Sequence, residues 1–222
     1  MLADPKASVI IVAGGSGSRM GRPKQMLKIK GKPALERSIE AMQKVPWAGE
    51  IIVVVGADIF KKLAGKLKKL KHALPGETRL NSVINGVSAM DAKYNLIAVH
   101  DGARPLVDPA AVQACLAAAA KTKAAVLAVP VKDTVKEVKN GFVVKTLDRD
   151  LLWAAQTPQC YDAKTLKKAL AKYGGLKDAT DESQLVERLG VKVAVVRGGY
   201  ENIKITTPED IITANALCKN KK

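Results

Sequence analysis

The chain has few aromatic residues and few cysteines. Phe, Trp and Tyr make up only 4% of its 222 residues, whereas surfaces that bind single-stranded nucleic acid stack the bases on aromatic rings. The cysteines, Cys115, Cys160 and Cys218, are far apart and form no C-x-x-C pair, which argues against a disulfide framework and against a zinc site. We therefore expect reduced thiols and no nucleic-acid partner.

Long apolar runs and a secretory signal are also missing. No apolar run reaches the roughly 18 residues that a membrane-spanning helix needs. Residues 1–5 lead into the first predicted strand without the charged region and apolar segment of a signal peptide. These absences predict a cytoplasmic protein that does not bind a membrane.

Acidic residues are in short supply. The chain has 37 Lys and Arg against 21 Asp and Glu, a net charge of +16, which favours polyanionic ligands such as nucleotides, sugar phosphates or nucleic acid. A length of 222 residues is sufficient for one well-buried domain and short for two. The composition therefore predicts a single core and an anionic ligand.

Short apolar runs alternate with helical patterns along the chain, as is typical of an α/β protein with a mostly parallel sheet. In such sheets, ligands bind beyond the carboxyl ends of the strands. The predicted strands are Val9–Val12, Ile51–Val55, Leu96–Val99, Ala124–Val129 and Val193–Val196, and the predicted helices are Ala34–Gln43, Lys61–Lys71, Ala110–Ala120, Lys164–Lys172, Glu182–Leu189 and Glu209–Leu217.

A glycine-rich segment follows the first predicted strand. Gly14, Gly15 and Gly17 allow backbone N–H groups to approach a polyanion closely, and Arg19 and Lys24 add positive charge. The spacing fits neither a dinucleotide fingerprint nor a Walker A loop. We interpret the segment as a cradle for a triphosphate, and residues 100–105, after the third predicted strand, are expected to face the same pocket.

One segment interrupts the alternation. Residues 133–138 and 142–147 favour strands, and between them Asn140 and Gly141 form a strong hairpin signal. A two-stranded ribbon is marginally stable alone in water. We therefore predict a protruding β-arm at residues 131–150 that packs on a second copy of the protein, or else folds back on its own domain.

Several motifs occur in an order that closely resembles the 2-C-methyl-D-erythritol 4-phosphate cytidylyltransferase family of the non-mevalonate isoprenoid pathway. The resemblance extends from about residue 8 to 217, and the ordered set is specific although each motif alone is weak. The motifs are the glycine-rich segment with Pro23-Lys24-Gln25, Gly76–Val83, Val99–Pro105, Pro130–Thr134, Leu147–Arg149, Trp153–Gln159, Ala179–Ser183 and Glu201–Thr206.

The resemblance implies a single Rossmann-like nucleotidyltransferase domain over residues 1–222, with the β-arm exchanged between the subunits of a homodimer. It also implies a reaction of CTP with methylerythritol phosphate that releases pyrophosphate and requires Mg²⁺ or another divalent cation. A phosphate monoester is mostly dianionic at neutral pH, so the attacking oxygen needs no protein base. His72 and His100, the two histidines, have no Ser or Cys partner in sequence that would indicate a protein nucleophile.

Residue by residue, the resemblance implies roles for cations and small polar groups. Arg19 and Lys24 would stabilise the negative charge on the reacting phosphates, and Arg149 and Lys204 would hold the acceptor phosphate in line. Asp101 is the candidate metal ligand. The implied nucleotide-binding residues are Ala13, Gly14, Gly15, Gly17, Gly76, Arg79, Ser82 and Asp101, and the implied substrate-binding residues are Asp101, Arg104, Thr134, Arg149, Thr157 and Lys204.

The sequence departs from the family pattern before the base-recognition loop. Two glycines and a strand are usual there, whereas here Leu74 and Pro75 precede Gly76 and the apolar run from Lys71 is very short. This departure predicts a reshaped base-recognition loop or relaxed selectivity for cytosine. A ribitol 5-phosphate cytidylyltransferase is the nearest alternative, although residues 99–105 and 128–134 look more like the methylerythritol enzymes. A basic nucleic-acid-binding module is a remote alternative that leaves the ordered motifs unexplained.

Overall fold

A seven-stranded sheet forms the centre of the protein. The computed structural model describes residues 5–15, 24–175 and 179–218. The elements in chain order are β1 (Ala7–Val12), β2 (Lys28–Ile29), β3 (Lys32–Pro33), α1 (Ala34–Gln43), β4 (Ala48–Val54), α2 (Ala57–Ala64), β5 (Leu70–Ala73), α3 (Arg79–Ser88), β6 (Leu96–Asp101), α4 (Pro109–Thr122), β7 (Ala124–Pro130), β8 (Lys136–Lys139), β9 (Phe142–Thr146), β10 (Trp153–Asp162), α5 (Ala163–Tyr173), α6 (Glu182–Glu187), β11 (Ala194–Arg197) and α7 (Pro208–Leu217).

The strand order of the large sheet is β11-β7-β10-β6-β1-β4-β5. Strand β10 pairs antiparallel with both of its neighbours, β6 and β7, while the other pairs are parallel. Apart from β10, the strands therefore point in one direction. The prediction of an α/β domain with a mostly parallel sheet is confirmed.

Helices cover both faces of the sheet, because the central strands are apolar on both sides. In β1, Val9 and Ile11 pack on the face that α1 and α4 cover, while Ile10 and Val12 pack on the face of α3, α5 and α6. Successive side chains of a strand point to opposite faces, so one short run supplies both halves of the core. No helix in the described ranges is long and apolar enough to cross a membrane.

The predicted helix over Lys61–Lys71 is wrong in its second half. Helix α2 ends at Ala64, and Gly65 caps it with an N–H that bonds to the Lys61 carbonyl oxygen. Lys69 then adopts a left-handed backbone with φ of 60°, and Leu70–Ala73 add to the sheet edge beside β4. Leu63, Leu67, Leu70 and Leu74 are spaced as on one face of a helix, but pairing with β4 satisfies the backbone of Leu70–Ala73 and buries Ala73.

The sequence patterns also missed helix α3 and strand β10. The buried face of α3 contains Ser82 and Gly86 beside two valines, so its apolar period is weak. Strand β10 buries Gln156, Thr157 and Gln159, polar residues that hide a strand pattern. The remaining predicted strands and helices are present, with ends shifted by three residues or fewer.

The β-hairpin forms as the Asn-Gly signal predicts. Strands β8 and β9 pair antiparallel in a sheet of their own, and Asn140 and Gly141 both have positive φ, 52° and 83°, as a type I′ turn requires. Every residue of the two strands is exposed. Phe142, Val143 and Val144, which we call the apolar strip of the arm, are 78%, 60% and 60% exposed.

Candidate functional site

The carboxyl ends of β1 and β6 bring two of the predicted motifs together. Val12 and Asp101 are partners in the parallel register, and the Gly102 N–H donates to the Val12 carbonyl oxygen at 2.9 Å. Gly14 lies against Pro75, where a Cβ atom would overlap the proline ring. The start of the glycine-rich segment, the 74–76 loop and the loop after Asp101 therefore share one edge of the sheet, as the parallel topology predicts.

The start of the glycine-rich segment is held by Gln25. The Gln25 side chain is buried, and its Nε2 donates to the carbonyl oxygen of Ala13 at 2.7 Å and to that of Gly15 at 3.4 Å. Gly17 and Arg19 lie outside the described residues. Lys24 begins a short 3-10 turn, Lys24–Met26, and only its backbone is described.

Asp101 is surrounded by positively charged groups. Its carboxylate oxygens lie 2.8 Å from Lys204 Nζ, 3.1 Å from Arg79 Nε and 3.9 Å from Arg104 Nε. The last distance is an electrostatic contact and too long for a hydrogen bond. Burial opposes ionisation of Asp101, but the charges of Arg79, Lys204 and Arg104 outweigh it and hold the pKa of the carboxyl well below its usual range. We call these four residues the Asp101 cluster.

Arg79 contacts a second carboxylate. Its Nη1 donates to Glu182 Oε1 at 2.5 Å while its Nε donates to Asp101. Burial tends to lower the pKa of Arg79, but the two carboxylates raise it overall. The pKa of Glu182 is raised because the side chain is fully buried, and Arg79 only partly offsets that effect. Arg79 therefore stays charged and connects α3 to both β6 and α6.

Thr157 links His100 to the backbone of Asp101. The Thr157 hydroxyl accepts from the Asp101 N–H at 3.0 Å and lies 3.0 Å from His100 Nδ1, while His100 Nε2 lies 3.2 Å from the Arg104 carbonyl oxygen. A carbonyl oxygen only accepts, so this network assigns the proton of neutral His100 to Nε2 and leaves Nδ1 to accept from Thr157. Complete burial lowers the pKa of His100 to about 4. His100 is therefore a neutral structural group at pH 7.

The loop that carries Lys204 is fixed by Asn202. The Asn202 side chain donates to the Thr157 carbonyl oxygen at 2.9 Å and to Gln156 Oε1 at 3.1 Å. The backbone carbonyl oxygen of Asn202 accepts from Arg104 Nη1 at 2.7 Å. Asn202 thus fixes the loop that carries Lys204 to the middle of strand β10 through its side-chain amide, and holds Arg104 through its backbone carbonyl.

The loop before α3 has a defined shape despite its departure from the family pattern. The Gly76 N–H donates to Ser82 Oγ at 3.1 Å, and a Cβ atom at Gly76 would overlap Asn81. Thr78 caps α3 by accepting from the Asn81 N–H at 3.0 Å. The short segment before this loop forms strand β5, where the sequence pattern predicted the end of the helix over Lys61–Lys71.

Two predicted substrate residues lie on the arm. Thr134 and Arg149 are exposed, and Arg149 Nη1 donates to the Lys132 carbonyl oxygen at 2.8 Å. At the base of the arm, Lys132 Nζ lies 3.7 Å from the centre of the Tyr200 ring, and the Tyr200 hydroxyl donates to the Pro130 carbonyl oxygen at 2.9 Å. Among the described residues, no hydrogen bond or ion pair joins Thr134 or Arg149 to the Asp101 cluster.

The structure thus brings together most of the predicted site residues and adds others. Arg79, Asp101, Arg104, Thr157 and Lys204 form one connected group. The sequence patterns missed Gln25, Glu182 and Asn202, each of which sits in or next to a recognised motif but shows its inward orientation only in the fold. Glu182 follows an Asp at a predicted helix start, a place where acidic residues are common on the surface.

A resident multi-ligand metal site is not part of the described structure. Residues 5–15, 24–175 and 179–218 contain no group of three or more His, Cys, Asp or Glu side chains that could hold a metal ion. Asp101 nevertheless offers an ionised oxygen ligand. Magnesium in nucleotide enzymes is commonly held by one or two carboxylates, with phosphate oxygens and waters completing the shell, so Asp101 fits a metal that arrives with a nucleotide.

Comparison with known proteins agrees with this arrangement. A sequence model of the 2-C-methyl-D-erythritol 4-phosphate cytidylyltransferase family matches residues 7–220. An enzyme of that name from Caldanaerobacter subterraneus subsp. tengcongensis is 42% identical over 96% of this chain and 98% of its own length. Another from Desulforamulus reducens is 43% identical, with 96% and 95% covered.

Solved structures agree as well. The 4-diphosphocytidyl-2C-methyl-D-erythritol synthase of Anaerococcus prevotii superposes with a TM-score of 0.86 at 36% identity, covering 96% of this chain and 95% of its own. The Thermus thermophilus cytidylyltransferase gives a TM-score of 0.81 at 33% identity, with 96% and 98% covered. The match is full-length in sequence and in structure, and the chain belongs to the 2-C-methyl-D-erythritol 4-phosphate cytidylyltransferase family.

Proposed function

We propose that this protein transfers the cytidylyl group of CTP to 2-C-methyl-D-erythritol 4-phosphate in isoprenoid precursor biosynthesis. A phosphate oxygen of the acceptor attacks the α-phosphorus of CTP, the bond between that phosphorus and the bridging oxygen to the β-phosphate breaks, and pyrophosphate leaves. The observation that carries the proposal is the Asp101 cluster at the carboxyl ends of β1 and β6, beside the glycine-rich segment, in a chain that belongs to this family.

The chemistry of the site suits the approach of two anions. The reacting groups repel each other, so preorganised positive charge and in-line positioning are the main needs. We assign Arg19 and Lys24 to the triphosphate, and Lys204 and Arg104 to the reacting phosphate and the acceptor. Asp101 keeps Lys204 and Arg104 in place and prevents their mutual repulsion from dispersing them. No step requires His100, which is neutral and buried.

Asp101 is also the residue that would hold Mg²⁺ or another divalent cation. When bound with CTP, the ion would neutralise charge on the phosphate oxygens. The cations around Asp101 oppose binding of a free divalent ion, so its affinity should depend on the negative charge of the nucleotide. Gly76 and Ser82 shape the loop that we assign to the cytosine base and ribose. We assign the backbone of Ala13, Gly14, Gly15 and Gly17 to the phosphates of CTP.

We further propose that the enzyme is a homodimer in which each arm reaches the partner's site. Three features support this: the apolar strip of the arm is largely exposed, an isolated ribbon is marginally stable, and Thr134 and Arg149 are exposed in a single chain. Packing against a second copy would bury the strip and stabilise the ribbon. It would also bring Arg149 close to an acceptor phosphate in the partner's site. The free, buried cysteines suit the reducing cytoplasm, where we place the protein.

The reaction is tested by pyrophosphate release with CTP and Mg²⁺, comparing methylerythritol phosphate with ribitol 5-phosphate. We expect release with the first acceptor and a rate at least about a hundredfold lower with the second, because a site that hydrogen-bonds its substrate strongly rejects a mismatched polyol. Release with ribitol phosphate alone would move the protein to the other acceptor class, and an inert protein would contradict the proposal.

The shared site is tested by mixing inactive variants. Lys24→Ala and Arg149→Ala proteins should complement each other, because a hybrid dimer contains one site with both residues; random exchange predicts recovery of about a quarter of the wild-type rate. Lys24→Ala mixed with Lys204→Ala is the matched control and should stay inactive, since Lys204 contacts Asp101 of its own chain. Exchange is verified with two affinity tags. No recovery in the first mixture despite exchange would exclude a shared site.

A further inference from the structure

Glu182 is a fully buried carboxylate at the edge of the candidate site, and the reaction as proposed gives it no role. Its Oε1 accepts from Arg79 Nη1, while its Oε2 has no hydrogen-bond partner among the described residues. A buried carboxylate with one unpartnered oxygen costs stability, and buried ion pairs contribute little to stability on balance. Folding alone is therefore a poor explanation for Glu182.

The fold determines where Glu182 points. The preceding residue, Asp181, caps α6 by accepting from the Gln184 N–H at 3.1 Å, and its other carboxylate oxygen accepts from Gln159 Nε2 at 2.8 Å. Gln159 in turn accepts from the buried Tyr161 hydroxyl at 2.7 Å. Because Gln159 pairs with Val99 of β6, the start of α6 is attached to the strand beside the one that ends at Asp101.

Arg79 is consequently held by two carboxylates from different elements. Its Nε faces Asp101 and its Nη1 faces Glu182, which restrains a long side chain that would otherwise rotate freely. The balance of positive and negative charge around Asp101 also depends on Glu182. Arg79, Arg104 and Lys204 surround Asp101, and without Glu182 three cations would compete for one carboxylate. Arg79 would then be free to leave Asp101.

We propose that Glu182 is a positioning residue of the CTP site, which acts by holding Arg79 against Asp101. The inference rests on the proposed function, because it assigns Arg79 and Asp101 to the nucleotide. Glu182 touches neither substrate nor metal in this account. Its effect reaches CTP through Arg79 alone, so the effect should vanish when Arg79 can no longer bridge the two carboxylates.

The test is a double-mutant cycle of Glu182→Gln with Arg79→Lys. Glutamine keeps the size of Glu182 and an acceptor oxygen but removes its charge, and lysine keeps the charge of Arg79 but cannot contact both carboxylates. We expect Glu182→Gln to raise KM for CTP about tenfold in the wild-type background and less than about twofold in the Arg79→Lys background. KM for the acceptor should change less than about twofold, because Lys204 and Arg104 remain attached to Asn202 and Asp101.

Glu187→Gln, an exposed change on the same helix, is the matched control and should leave KM for CTP unchanged. If Glu182→Gln folds poorly, Glu182→Asp takes its place in the test. Aspartate retains the charge but withdraws it by one methylene, so its KM for CTP should lie between those of the wild type and a variant without the charge. The inference is overturned if Glu182→Gln lowers thermal stability without changing KM for CTP, or if its penalty is equal in both backgrounds. Wild-type turnover of CTP is measured first, so failure of the proposed function is recognised separately.

Discussion

Asn202 is bound to Thr157 across 45 residues of chain, through a hydrogen bond of 2.9 Å from its side-chain amide to the Thr157 carbonyl oxygen. This bond determines where the following loop runs. Ile205 continues it with an N–H that donates to the Ala103 carbonyl oxygen at 2.9 Å. Lys204 therefore reaches Asp101 from a loop anchored on either side.

Substitution of Asn202 should lower both the stability of the protein and its turnover, and the two effects can be measured separately. Asn202→Ala leaves the Thr157 and Gln156 acceptors unsatisfied, which should cost about 1–3 kcal/mol of unfolding free energy. It should also lower kcat about tenfold or more, because Lys204 is no longer held in place. Urea unfolding and steady-state kinetics measure the two effects. Glu201→Gln, an exposed neighbour, should change neither, and an unchanged kcat for Asn202→Ala would contradict the positioning of Lys204.

Burial of His100 should make the protein less stable in mild acid. Between about pH 6.5 and 4, the unfolded chain binds a proton on this histidine that the folded chain excludes, so stability falls as the pH is lowered. The shift corresponds to at most about 3 kcal/mol, complete near pH 4. Urea unfolding at pH 7 and pH 4.5 measures it.

Replacement of the histidine identifies the group responsible for that slope. His100→Gln should flatten the pH dependence between these values, although it lowers stability at pH 7 because the Thr157 and Arg104 contacts change. His72→Gln keeps His100 and should keep the slope. Loss of stability only below about pH 4, where the carboxyl groups titrate, would show that His100 is not buried in its neutral form.

Close packing of helix α3 should make Gly86 intolerant of a side chain. A Cβ atom there would overlap Ile10 and lie 3.1 Å from a methyl group of Val54. We expect Gly86→Ala to destabilise the protein by about 1–3 kcal/mol, even though alanine favours helix by up to about 1 kcal/mol over glycine. Chemical denaturation gives the value. Ser88→Ala, an exposed change on the same helix, should be nearly neutral, and a stabilised Gly86→Ala protein would exclude this packing.

The apolar strip of the arm should govern assembly. Phe142 is 78% exposed in a single chain, so Phe142→Asp should shift a dimer toward monomer and reduce turnover with it, without lowering the unfolding free energy of the core. Light scattering after size exclusion, over a range of protein concentrations, reports the molecular mass. Lys145→Asp, an exposed change on the same strand, should remain dimeric. A wild-type protein that is monomeric at all concentrations would contradict the role of the arm.

The elements with a regular apolar period could be predicted from the sequence. Ala34–Gln43 is the observed range of α1, because its period, its start after Pro33 and its buried face agree. The segment after Lys61 could not, because four leucines at helical spacing gave no sign that Leu70–Ala73 would pair with β4. Pairing with β4 overrides the local helical spacing there, and the local sequence gives no information about that pairing.

The site divides in the same way. Asp101, Arg104 and Lys204 were found because each stands in a motif at a strand end or in a short loop. Glu182 and Asn202 were not found, because a buried polar residue can be recognised only through its partner. Their partners, Arg79 and Thr157, lie more than 40 residues away in the sequence. The chemical roles assigned to these residues, and to Arg19, Lys24, Arg149 and Thr134, remain predictions.

Strand β10 runs antiparallel to both of its neighbours, and its first half connects the arm to the candidate site. The chain leaves the arm after Asp150 and seven residues later reaches Thr157, which contacts His100 and the Asp101 backbone. The arm and the site are therefore joined by consecutive residues of one strand. If a partner clamps the arm, it also restrains Thr157, and by reciprocity a bound substrate strengthens the grip of the partner. Assembly and substrate affinity would then rise and fall together.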